Sequence, residues 1–299
     1  MHDVHRHCYR ISDIADYINW AYFFHAWGMP TKYSSLVGIH GCDACRKAWT
    51  ETFPAEEQTQ AQEAIRLLSD AQKMLSRINA YTQVHTLFKL FPANADGDDI
   101  VIHKEEGADV RLPMLRQQHP NKEGYCLCLS DFVLPITSGN SDRVGIFATS
   151  VASPTDYKDN YESLLAQTLC NRLAEAAAER LHQEVRKTLW GYAPDENLPV
   201  SDLHAEKFQG TRPAVGYPAL PDLSLNFLLD ELLGFTQIGI RLTEHGMMQP
   251  QASVSGLMFA HPQSCYFSVG KITEDQLADY AQRRGMPLAE IRTYLASSL

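Results

Sequence analysis

Cys42 and Cys45 stand at metal or redox spacing, with His40 two residues ahead of them. A single Cys-x-x-Cys is weak evidence, because a closed structural zinc site needs four ligands; ordinary loop thiols are the stronger reading. His2, His5 and His7 with Cys8 form a second cluster, at a terminus whose residues 1–10 read as a flexible, solvated tail. Asp98 and Asp99 follow a glycine and could serve a cation or an acid–base pair. Neighbours on a strand point to opposite faces, however, so a turn with a strand cap is the better account. Glu175, with Arg172 three residues before it and Glu179 four after, lies in a helical pattern and by itself reads as a surface carboxylate. A phosphate-binding glycine loop with Lys-Ser/Thr, a Gly-x-Ser-x-Gly elbow and a His-Glu-x-x-His pair are all missing from the sequence.

The run Gly210-Thr211-Arg212-Pro213-Ala214-Val215-Gly216-Tyr217-Pro218-Ala219-Leu220-Pro221 differs in kind. Its prolines and glycines forbid both helix and central strand, which leaves a stiffened, extended loop exposing backbone N–H and C=O groups. Such a loop is either a connector or a backbone cradle for a ligand, and Arg212 and Tyr217 in a proline-fixed frame suit the second as well as the first.

The surrounding elements must position these residues. Hydrophobic spacing predicts a helix over 12–27 with Ser12 as its cap, stopped by Gly28 and Pro30, then a loop or short helical excursion over 32–53. Pro54 opens a long helix whose buried stripe is Ala64, Leu68, Ala71, Leu75 and Ile78. Residues 82–91 and 100–103 read as an antiparallel pair around a turn at 94–97, with a further strand at 144–149 and the longest helix over 160–190. A helix at 223–233, strands at 237–243, 252–260 and 265–270, and helices at 273–284 and 287–296 close the chain. Without regular βαβ alternation, the class is α+β with a largely antiparallel sheet.

Composition sets limits. The 299 residues are 44% apolar, enough for a proper core in one large domain or two, and carry 26 Lys+Arg against 36 Asp+Glu, a net charge of −10. That acidity argues against nucleic acid or an anionic membrane surface as the main partner. No apolar run is long enough to span a bilayer and Met1–His7 lacks the apolar core of a signal peptide, so a cytoplasmic protein is expected. Seven cysteines, an odd number, suggest reduced thiols.

Arg212-Pro213-Ala214-Val215-Gly216-Tyr217-Pro218 resembles the Arg-x-x-x-Gly-Tyr-Pro signature of the S-adenosylmethionine-binding activation domain of cobalamin-dependent methionine synthase. Further blocks agree in order, among them Leu90-Phe91-Pro92-Ala93-Asn94, Cys128-Leu129-Ser130-Asp131-Phe132-Val133, Arg172-Leu173-Ala174-Glu175-Ala176, Trp190-Gly191-Tyr192-Ala193-Pro194 and Ala252-Ser253-Val254-Ser255-Gly256. The match runs from about Ile11 to the C-terminus. It implies one domain over 1–299, a C-shaped α+β fold with a twisted antiparallel sheet flanked by long helices, and S-adenosylmethionine bound in a shallow groove. Arg212, Ala214, Gly216 and Tyr217 would contact the ligand largely through backbone, with Arg212 near the methionine carboxylate. Glu175 would favour the ammonium and sulfonium, and Tyr266 would offer an aromatic wall.

In the family such a domain caps oxidised cob(II)alamin, and an electron from flavodoxin or a similar reductase is coupled to methyl transfer from S-adenosylmethionine. The implied role is thus an accessory component of methionine biosynthesis that acts in trans on a separate cobalamin-dependent methionine synthase lacking this domain. Cobalamin would be met only through that partner: Asp202-Leu203-His204 begins the cobalamin-ligating Asp-x-His-x-x-Gly motif, but Lys207 stands at its glycine position. Asn19 replaces a family aspartate that contacts the ligand, keeping hydrogen-bonding capacity without the charge. Leu223 replaces a histidine on the side expected to face the corrin, and 37–59 has no clear family counterpart. These departures suit an alternative, a non-catalytic binding or sensor protein for S-adenosylmethionine or another nucleoside. A thiol or metal protein built around Cys42 and Cys45 is the third reading.

Overall fold

The computed structural model describes residues 3–152, 157 and 159–299; His2 lies outside them. Its elements are β1 (His5–Arg10), α1 (Ile11–Ile14), α2 (Trp20–Ala26), α3 (Asp43–Thr50), α4 (Ala55–Ile78), β2 (Gln83–Asp96), β3 (Asp99–Ile102), β4 (Val110–Pro113) and β5 (Asp142–Val151). There follow α5 (Asn160–Glu184), α6 (Val200–His204), α7 (Leu225–Leu233), β6 (Arg241–Leu242), β7 (Met248–Gln249), β8 (Ser253–Met258), α8 (Glu274–Arg284) and α9 (Leu288–Tyr294). The fold is α+β, built on an antiparallel sheet in the order β4-β3-β2-β5-β8, with β1 also paired to β2.

β2 is the spine. Its residues 84–93 pair with β5, from Val84↔Val151 to Ala93↔Asp142, and its end turns through Gly97-Asp98 into β3. Both faces are covered, so it reads as a nearly continuous apolar run. Val84, Phe88 and Leu90 face a core shared with α4 and α5, whereas Leu87, Phe91 and Ala93 face a second core shared with α7. All five expected stripe residues of α4 are buried in the first core.

Several expectations need correction. Residues 5–10 are not a solvated tail: β1 pairs along β2 from His5↔Phe88 to Arg10↔Gln83, and Tyr9 is buried against the first core. One face of β1 stays in solvent, which is why its composition looks like a tail's. The 12–27 helix is interrupted, with a 3₁₀ turn at Ala15–Tyr17, and α2 restarts at Trp20. Ser12 is no cap; its N–H donates to Asn79 Oδ1. The 237–243 run is a 3₁₀ turn over Phe235–Ile238, broken by Gly239 at φ +77°, and then the two-residue β6. Residues 265–270 form no strand. Among the described residues no helix is long and apolar enough to cross a membrane.

Candidate functional site

α5 presents Arg172, Glu175, Ala176 and Glu179 on one side, an i, i+3, i+4, i+7 set that shares a face of any helix. Across from them runs the proline-rich segment, laid along β8 as an irregular extra edge. Thr211 and Phe259 exchange backbone hydrogen bonds of 3.0 and 2.9 Å; Leu257 N–H donates to Pro213 O at 3.0 Å, and Val215 N–H to Ser255 O at 2.9 Å. Pro213 fits this ladder because only its carbonyl is used. In such pairing the alternate residues turn their polar groups the other way, so Arg212 C=O and Ala214 N–H point off the sheet. Tyr217 N–H then closes a turn onto Ala214 O, with Gly216 at φ +88° in the third position, where a type II turn requires the left-handed side.

Between α5 and this segment lies a groove of about 620 Å³. Asn19, Glu175, Arg212, Ala214, Tyr217 and Tyr266 all line it; Gly216 does not, and serves the turn instead. Arg212 N–H donates to Tyr266 Oη at 2.9 Å, tying the segment to the ring. Tyr217 Oη donates to Glu175 Oε1 across the groove. The Arg212 guanidinium lies 3.3 Å from Glu179 and 4.0 Å from Glu175, under the shelter of the Phe147 ring. Asn19 caps α2, its Oδ1 accepting from Ala21 N–H at 3.2 Å.

Three carboxylates, Glu175, Glu179 and Glu206, face two guanidinium groups, Arg172 and Arg212, which leaves the groove with an excess of negative charge. Burial, then the neighbouring Glu179, raises the Glu206 carboxyl above the usual carboxylate range. Burial pushes the Tyr266 phenol up to about 12 and raises Tyr217 further, the latter helped by Glu175. Two buried polar atoms of opposite kind, Arg212 Nε and Glu179 Oε1, have no hydrogen-bond partner among the described residues. Eight further buried side-chain polar atoms, among them Trp27 Nε1, Asn171 Oδ1 and Gln276 Oε1 away from the groove, are likewise unpartnered among the described residues.

Reasoning from sequence missed several wall residues. Glu179 was visible only as a helical neighbour of Glu175. Glu206 sits at φ 57°, the left-handed position after α6, where Lys207 N–H returns to Asp202 O at 3.0 Å and Glu206 N–H to Leu203 O at 2.9 Å. Glycine is the usual residue there and any other costs about 1–2 kcal/mol. Phe208 is held against the groove by the buried Arg186, whose guanidinium lies 4.1 Å from its ring and forks onto Glu196 at 2.6 and 2.8 Å. His204, from the discounted Asp-x-His fragment, also lines the wall and bonds Tyr17 O at 3.0 Å.

Other sequence candidates lie elsewhere. Asp98 is paired with Arg116, whereas Asp99 is paired with Arg111 and Arg283, so the two serve different ion pairs. Leu223 packs against the second core. Cys42 is the N-cap of α3; hydrogen bonds from Cys45 and then His40 draw its thiol down to about 7.

The family model described as vitamin B12 dependent methionine synthase, activation domain, matches residues 10–285. A solved structure of the MetH reactivation domain bound to AdoHcy is similar at 37% identity and a TM-score of 0.86, the alignment covering 99% of this chain and 90% of that one. The chain belongs to the vitamin B12-dependent methionine synthase activation domain family.

Proposed function

We propose that this family member binds S-adenosylmethionine in the groove between α5 and the Thr211–Ala219 segment, in service of reductive remethylation of cob(II)alamin carried by a separate cobalamin-dependent methionine synthase. The carrying observation is the charged wall on which the Arg212 guanidinium lies 3.3 Å from Glu179 and 4.0 Å from Glu175. The Arg212 guanidinium can donate to the ligand's carboxylate and the Glu179 carboxylate can accept from its ammonium, so one zwitterionic amino-acid end meets both charges on this wall. Glu175 and Glu206 then supply the negative potential that a sulfonium needs, and the rings of Tyr217 and Tyr266 give it faces to rest on. Ala214 N–H and Arg212 C=O offer a donor and an acceptor for a flat heterocycle. The known AdoHcy complex of a similar domain supports this choice of ligand class.

Bound there, the ligand would supply the methyl group, with one electron from a flavodoxin-like reductase. The protein's own contribution is positioning in a site shielded by aromatic side chains. Calorimetric titration with S-adenosylmethionine and S-adenosylhomocysteine tests the groove; heat from neither removes the reading. Addition of the chain to a separate synthase lacking this domain, with reductase and S-adenosylmethionine, should restore turnover after oxidation.

The sensor reading survives on one observation, the apolar Leu223 where the family places a histidine. It expects ligand binding without restored turnover.

A further inference from the structure

We propose that His40, Cys42 and Cys45 form a binding site for a thiophilic divalent cation such as Zn²⁺, with three protein ligands and one position left for an exchangeable donor. One ligand atom from each residue lies within 4.8 Å of the others, and among the described residues no other set of three histidine, cysteine or acidic side chains meets that condition. Zn–S bonds near 2.3 Å and Zn–N bonds near 2.1 Å place tetrahedral ligands roughly 3.5–3.8 Å apart, so the set closes on an ion by small side-chain movements.

The local fold builds the arrangement. Cys42 caps α3 and Cys45 sits three residues on, so both sulfurs meet at its first turn, where the unpaired N–H groups favour negative charge. Cys45 N–H already donates to Cys42 Sγ at 3.4 Å, an outer contact that fixes the sulfur's direction. His40, exposed on the loop before α3, completes the third corner. The platform is firm: the buried Trp49 of α3 stacks edge-on with Tyr33 and Phe53 and donates from Nε1 to Ser35 Oγ at 3.1 Å. A disulfide would use the two sulfurs and leave His40 without a part. Uptake of one M²⁺ by two thiols releases their protons to solvent, with no oxidation. No groove residue belongs to the set, so this site stands or falls independently of S-adenosylmethionine binding.

The test is a titration of the full chain, reduced and stripped of metal under argon, with Co²⁺. The expected result is saturable one-to-one binding with thiolate-to-cobalt charge-transfer absorption and the visible bands of a tetrahedral ion, bleached by one equivalent of Zn²⁺. Cys42→Ser and Cys45→Ser should each lose most of the charge-transfer band. His40→Ala should keep the band but weaken binding about 10-fold or more, with circular dichroism and thermal unfolding unchanged. Absence of the band at millimolar Co²⁺ overturns the proposal, as does a band that persists in the Cys42→Ser, Cys45→Ser double variant. So does a reduced protein that takes up no metal yet forms a Cys42–Cys45 disulfide with oxidised glutathione.

Discussion

The carbonyl of Pro213 lies directly over Gly256, so close that a Cβ on that glycine would overlap it and stand 2.8 Å from Ala214 Cα. The groove's backbone wall is therefore seated on a strand position that only glycine can occupy without moving the loop. Sheet and site are coupled at this point.

Gly256→Ala is accordingly expected to lift Arg212–Ala214 off β8 and break the hydrogen bonds at Pro213 and Val215. Overpacking of this kind costs about 1–3 kcal/mol. The Cβ would also stand 3.0 Å from the buried Phe147 ring, a contact that the ring can relieve by a small shift, so the chain should still fold, with a lower Tm. Affinity for S-adenosylhomocysteine should fall by about 10-fold or more, since a 1.4 kcal/mol loss is tenfold. Unaltered affinity by calorimetry would mean that the wall does not contact the ligand.

Glu175→Gln keeps an acceptor for Tyr217 Oη while deleting the charge. A hydrogen bond to a charged group contributes about 1.5–3 kcal/mol, and binding of S-adenosylmethionine should weaken by about that much. The product analogue has a neutral thioether in place of the sulfonium, so its affinity should fall less. Equal losses for both ligands would place Glu175 at the ammonium alone.

His182 provides the pH dependence. It is wholly buried beside Tyr192 and Phe208, and burial, then Arg186 and Arg212, holds its pKa well below 6.5. The unfolded state therefore binds a proton that the folded state refuses. This contribution to stability is complete above pH 6.5 and is lost as pH falls below it, with a limiting slope of about 1.4 kcal/mol per pH unit. Thermal unfolding of the wild type should shift downward between pH 6.5 and 5. A His182→Gln variant should show a flatter acid limb, whatever its absolute Tm; an identical limb would assign the proton to another group.

How far the molecule was legible from its residues depends on which signal each part carries. The α4 stripe and the register-bearing apolar positions of β2 repeat at fixed periods, so they could be read directly. The Arg212–Pro218 frame was recognisable by its prolines, but not the way Pro213 uses only its carbonyl against β8. Asn19 interrupts a helix by capping the next one, and in the middle of an amphipathic pattern a capping asparagine looks like any polar residue. Glu206 and Phe208 reach the groove through a left-handed turn and a buried Arg186–Glu196 pair, long-range facts with no local pattern. The spacing of His40, Cys42 and Cys45 was legible, but their convergence was not, because it depends on Cys42 capping α3.

The N-terminal strand gives the sharpest contrast between composition and structure. Tyr9 is 3% exposed, packs on the first core and donates from Oη to Glu184 Oε2 at 2.7 Å, whereas His7, two residues before it on the same edge strand, is exposed. A solvated tail would make the two equivalent. Pairing with β2 makes them unequal, because truncating Tyr9 empties a large buried volume and strands the Glu184 carboxylate of one partner, while truncating His7 removes a ring from the surface. Tyr9→Ala should therefore cost about 3–5 kcal/mol of unfolding free energy, in the range for buried aromatic residues, and His7→Ala within about 0.5 kcal/mol. Urea denaturation separates these outcomes, and matching midpoints for the two variants would return residues 5–10 to the solvent.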